Sequence, residues 1–109
     1  MIAVRLEWSP TFEVGQSFGL NSLFTNITIP AAPAKDQTFQ IKNYHKEKGN
    51  WSEMGDYTQF TVDKIEYYYE GPYNLPEVVI SLKLDRESPE DEKRVVKLLL
   101  EKYGWERNE

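Results

Sequence analysis

"FTVDKIEYYYEGPYNLPEVVISLKLD", residues 60–85, decides the fold. In its second half Val78, Ile80, Leu82 and Leu84 alternate with Val79, Ser81, Lys83 and Asp85, the period of two that marks a strand with one buried face. The first half is also strand-like, but its phase changes. Phe60 and Val62 share one parity while Ile65, Tyr67 and Tyr69 share the other, so an uninterrupted strand would divide its apolar residues between opposite faces. One extra residue at Asp63-Lys64, a β-bulge, would restore a single face; the alternative is a sheet covered on both sides. A turn over 71–76 joins the halves, predicting an antiparallel hairpin of 57–69 with 77–85.

This hairpin also carries the densest aromatic group, Tyr67, Tyr68, Tyr69 and Tyr73. With Ile65 inward, Tyr67 and Tyr69 are expected in the core. Glu66, Tyr68 and Glu70 then face out, and Tyr73 sits on the turn beside Pro72 and Pro76. Tyr68 and Tyr73 rimmed by Glu66 and Glu70 make a candidate partner-binding patch, because tyrosine supplies contact area at low entropic cost. Such a surface suits a basic partner better than a phosphate chain. The bland account of the same residues is a strand with tyrosine hydroxyls wetted at its edge.

Toward the N-terminus, Ile2, Val4, Leu6 and Trp8 alternate with Ala3, Arg5, Glu7 and Ser9, a strand ended by Ser9-Pro10. Residues 11–30 hold Phe12, Val14, Phe18, Leu20, Leu23 and Phe24, punctuated by Gly15 and Gly19. They should be strand-rich and irregular, with 25–29 the clearest strand. "PAAPAKDQ", 30–37, reads as a surface connection with polyproline character. Phe39 and Ile41 begin another strand. It leads into a polar stretch, 43–56, expected to be an exposed loop or splayed hairpin turning at Gly49-Asn50.

Both ends of a C-terminal helix are legible. Ser88 is the N-cap and Pro89 the first helical residue, with Glu90, Asp91 and Glu92 at the positive end of the dipole. Val96, Leu99, Leu100 and Tyr103 follow at i, i+3, i+4 and i+7, with Val95 and Leu98 widening the apolar stripe. Gly104 fits the left-handed position after the helix, returning Trp105 toward Leu100 in a Schellman motif. The fold expected is α+β: a single domain, 1–109, with a mostly antiparallel sheet of about five strands and one C-terminal helix packed on one face.

Composition narrows function more than it names it. The 109 residues suit one core; 39% are hydrophobic and 14% aromatic, including seven Tyr and three Trp. No cysteine is present, which removes disulfides, thiolate metal sites and a cysteine nucleophile. No basic-plus-apolar leader or membrane-length apolar run occurs, so the expectation is a soluble, cytoplasmic protein, and the sequon Asn26-Ile27-Thr28 carries no meaning. A net charge of −5 disfavours a general attraction to nucleic acid or anionic membrane.

His45 is the single histidine, and Glu47 beside it is expected to point the other way along an extended chain, which leaves no orienting carboxylate. The acidic residues Asp85, Glu87, Glu90, Asp91 and Glu92 lack calcium-loop spacing. Gly15 and Gly19 lack the lysine of a phosphate loop, and no serine lies in a nucleophile-elbow context. Neither metal nor cofactor is expected. Lys42, Tyr44, Lys46, Lys48 and Trp51 interleave cations with rings, the ingredients of single-strand nucleic-acid binding, against Glu47, Glu53 and Asp56 nearby.

The leading expectation is therefore a non-enzymatic protein-binding module. It would be an inhibitor, adaptor or accessory protein, by analogy of size and charge one from a mobile element. It would act through the tyrosine and acidic surface or an unpaired sheet edge, and such an edge also admits a homo-oligomer. The alternatives are a single-stranded nucleic-acid binder using Lys42 to Trp51 and a small enzyme using His45.

Overall fold

A computed structural model describes residues 1–11, 22–68, 78–86 and 88–107. The described strands are β1 (Ile2–Trp8), β2 (Leu23–Ile29), β3 (Thr38–Glu47), β4 (Asn50–Tyr67), β5 (Val78–Leu84) and β6 (Glu106–Arg107). They form one six-stranded sheet in the order β3-β4-β5-β1-β2-β6. The architecture is α+β and mostly antiparallel, the two-residue β6 adding to the five strands expected. One pair, β1 with β5, is parallel. Helix α1 (Pro89–Lys97) continues through a wider π turn, Leu98–Lys102. No helix among the described residues is long and apolar enough to cross a membrane.

The phase change in β4 is resolved by a bulge. Val62 pairs with Leu82 and Lys64 with Ser81, which leaves Asp63 as the extra residue. Phe60, Val62 and Ile65 consequently share the face of Leu84, Leu82 and Ile80. Val4, Leu6 and Trp8 of β1 and Leu23 of β2 extend that face, and Val95, Val96, Leu98 and Leu99 of the helix complete the cluster. Phe60 is 0% exposed and meets Trp8 edge to face at 5.5 Å between ring centres. Burying each large side chain in this cluster contributes about 1.5–3 kcal/mol, the main opposition to chain entropy.

Tyr67 corrects the parity reading. It lies opposite Val78, on the core face by register, yet it is 68% exposed. As the last residue of β4 it stands outside the core cluster, so alternation chose its face without supplying a cover. Tyr69, Glu70 and Tyr73, the turn over 71–76, the glycines Gly15 and Gly19 and Glu87 lie outside the described residues.

The polar stretch after Ile41 is a regular ladder, not a loop. Pairing of β3 with β4 runs out to Glu47 opposite Asn50, and the turn is Lys48-Gly49, one residue earlier than expected. Both residues have positive φ, 51° and 83°, the geometry of the hairpin turn whose twist matches its strands. The ladder is interrupted where Asn43 faces three residues, Met54, Gly55 and Asp56, between the pairs Lys42–Tyr57 and Tyr44–Glu53. Gly55 takes φ 82° there, a conformation that a side chain would strain.

The helix starts as its sequence dictates. The Ser88 hydroxyl accepts from the Asp91 N–H at 3.1 Å and donates to the Asp91 carboxylate at 2.9 Å. At the other end Gly104 is left-handed, at φ 74°. The π turn shifts the closing bond by one residue, so the Trp105 N–H reaches the Leu99 carbonyl at 2.9 Å and buries the indole. Glu92, expected only to complement the dipole, is buried and accepts the Thr11 N–H at 2.9 Å, tying the end of β1 to the helix.

Candidate functional site

Of the tyrosine patch, Glu66 and Tyr68 fall within the described residues. Tyr68 is half-buried, with its hydroxyl 3.4 Å from Glu66 Oε2, and Glu66 also lies 3.6 Å from Lys64. The exposed ring at this end is Tyr67, so the accessible tyrosine is the neighbour of the one expected. Tyr73 and Glu70 lie outside the described residues.

The outer half of the β3–β4 hairpin is an arm, exposed at almost every position from His45 to Tyr57. Its cations carry carboxylate partners: Lys42 lies 3.4 Å from Glu53 and Lys46 3.5 Å from Glu101. The hydrogen bond to Glu53 raises the Lys42 pKa above its ordinary value. Lys46 also sits 5.5 Å from the Trp51 ring, directly across the ladder, and Lys102 lies 4.7 Å from the Tyr44 ring. Lys48 occupies the tip. Such pairing leaves less free charge for a phosphate chain than the sequence suggested. His45 and Glu47 correct a second expectation. Residues two apart along a strand share a face, and His45 Nε2 lies 3.7 Å from Glu47 Oε1, both side chains well exposed. That contact is solvated, and although Ser52 lies directly across the ladder, no side-chain hydrogen bond among the described residues joins it to His45.

The arm meets the end of the helix at Tyr103. Its hydroxyl donates to the Lys42 carbonyl at 2.7 Å, its ring meets Tyr44 at 6.3 Å, and partial burial raises its pKa. This bond also reports which way the edge of the sheet faces. Val62 bonds toward β3, its N–H donating to the Gln37 carbonyl and its carbonyl accepting from Asp36, whereas the Gln59 carbonyl accepts from Asp85 on the β5 side. Main-chain groups alternate sides along a strand, so Phe39 and Ile41 bond inward to Phe60 and Thr58. Thr38, Gln40 and Lys42 then aim their N–H and carbonyl groups away from the sheet. β3 is an edge strand, and among these groups the Lys42 carbonyl is the one met by Tyr103.

A second feature, not anticipated from sequence, lies where β5 ends and β4 continues. There a cleft of about 570 Å³ opens between the root of the arm and the first half of α1. Arg94 stands in its wall. Nη1 donates to Asn43 Oδ1 at 3.0 Å, and Nη2 donates to Thr58 Oγ1 at 3.3 Å. Asn43 and Thr58 are 4% and 5% exposed, bonded to each other, and Asn43 Nδ2 donates to Asp56 at 3.0 Å. Thr58 has the parity of Phe60 and Val62; that polar residue at a core position was the available signal.

The acidic residues read together in the sequence divide: Asp85 and Asp91 line the cleft, and Glu92 lies apart from it. Asp85 accepts from Gln59 and Thr61, Asp91 serves the helix cap, and Glu92 is buried beneath Thr11. No protein-family model, curated protein sequence or solved structure matches the chain.

Proposed function

We propose that the protein is a non-enzymatic binding module that takes a protein partner along the outer edge of β3. The observation that carries this reading is the ten-residue edge strand, whose Thr38 and Gln40 main-chain groups face away from the sheet. Natural sheets blunt such edges, and among the described residues Tyr103 does so here, bonding the Lys42 carbonyl next to the irregularity at Asn43. The segment before it is open to an added strand, which would gain affinity from main-chain bonds and specificity from alternate side chains. Tyr67, 68% exposed, supplies further aromatic contact surface.

Gln40→Pro tests the reading. Proline removes one outward N–H and leaves the inward bonds of Phe39 and Ile41 in place. Affinity capture from host extract, with nuclease treatment as control, should recover a protein partner with the native chain. Capture should be lost with Gln40→Pro while the circular dichroism spectrum is kept. Recovery undiminished by Gln40→Pro would count against the edge. Recovery abolished by nuclease would favour nucleic acid on Lys42, Tyr44, Lys46, Lys48 and Trp51.

A further inference from the structure

The cleft at the root of the arm is the place where a strand is missing. β5 pairs with β4 from Tyr67 back to Phe60 and then leaves the sheet after Leu84, while β4 runs on to Asn50. Gln59 still bonds to Asp85 on that side. By the same alternation Tyr57 aims its N–H and carbonyl into the position that β5 has vacated. Beyond Tyr57 the bulge at Met54–Gly55–Asp56 stops any regular ladder, so the open position is short. It has room for the end of a chain rather than for a long strand.

Two arginines, Arg94 and Arg86, line this cleft. Arg94 is held from behind by the buried pair Asn43 and Thr58, which use two of its five donors, and its ion pair with Asp91 is long, at 3.9 Å. Arg86 lines the cleft and has no ion pair among the described residues. A preorganised arginine suits planar, bidentate capture of a carboxylate. Asp56, Asp85 and Asp91 also line the walls, one more carboxylate than there are guanidiniums. That balance works against a phosphate dianion and favours a carboxylate accompanied by a cation. Met54 and Tyr57, 47% and 55% exposed, give the cleft an apolar rim.

We propose that this cleft binds the C-terminal carboxylate of an extended peptide. Arg94 and Arg86 hold the carboxylate, Tyr57 continues the ladder to the peptide main chain, and the aspartates receive a basic side chain near the peptide's end. This site is separate from the outer edge of β3 and is tested without a natural partner. The test is a chemical-shift titration of the isotopically labelled full chain with acetyl-Leu-Lys-Gly as the free acid, its C-terminal amide, and sodium acetate.

The free acid should give saturable shifts at Tyr57 and Thr58 and at the arginine side-chain N–H groups. The amide should bind about tenfold more weakly, the loss of roughly one charge-assisted pair, and acetate more weakly still. Arg94→Gln should weaken the free acid by a similar factor. Because Arg94 also supports Asn43 and Thr58, Arg86→Gln at the exposed wall is the companion variant, with the same expected loss and an unchanged fold. Equal binding of acid and amide, acetate as tight as the peptide, undiminished binding by Arg86→Gln, or no shifts with the free acid would each overturn the proposal.

Discussion

The two halves of the β3–β4 hairpin are continuous in backbone and opposite in what holds them. In the inner half Phe60 and Val62 are buried against Trp8, β5 and the helix, and the ladder is one seam of a six-stranded sheet. In the outer half the ladder runs from Tyr44–Glu53 to Glu47–Asn50 and is exposed at most positions, with Tyr44 and Trp51 partly buried against the core. Tyr103, Glu101 and Lys102, at the end of the helix, add contacts to Lys42, Tyr44 and Lys46. An isolated two-stranded hairpin is marginal in water. One hairpin thus serves both tasks: the inner half carries stability, and the outer half presents surface whose local opening costs little.

The comparison breaks most visibly at Phe60. Phe60→Ala should cost about 3–5 kcal/mol, because it empties a fully buried site beside Trp8. Urea unfolding should show one transition moved to lower denaturant for inner and outer probes alike; a loss confined to the arm would erase the distinction. Gly55→Ala is the corresponding change outside the core. Nothing stands within 4 Å of an added Cβ, so its cost is the left-handed backbone alone, about 1–2 kcal/mol. Hydrogen exchange should quicken in the arm while the amides of β1 and β5 keep their protection.

Tyr103→Phe removes one partly exposed hydrogen bond and keeps the ring. It should cost about 0.5–1 kcal/mol, again seen as faster exchange in the arm. The smallest effect is that of pH. Lys42 and Tyr103 are both raised above their ordinary values of 10.5 and 10.0, so folding favours their protonated forms. Their contribution is complete below those values and is lost as pH rises through the folded ones. Shifts of the Tyr103 ring resonances should begin only above the ordinary tyrosine range. Loosening of this contact at neutral pH would contradict the assignment.

The inner half was legible in the sequence because burial writes itself as parity. The phase break between Val62 and Ile65 located the Asp63 bulge, and Ser88, Pro89 and Gly104 located both ends of the helix. What parity could not carry was lateral neighbourhood. Nothing local to Val4 or Val78 says that β1 lies parallel beside β5, because that contact is made between distant segments. Tyr67 has the parity of a core residue and lacks a cover, a fact about neighbouring elements rather than its own strand. The cleft was hidden for the same reason: Asn43, Thr58 and Arg94 converge from two strands and a helix.

Amide hydrogen exchange at Thr38 and Gln40, in the free protein and in the captured complex, reports directly on binding along the β3 edge. An unpaired outer edge predicts rapid exchange at both amides in the free protein, against slow exchange at Phe39 and Ile41, and strong slowing of Thr38 and Gln40 in the complex. Exchange at Thr38 and Gln40 that is unchanged by the partner would contradict binding along this edge.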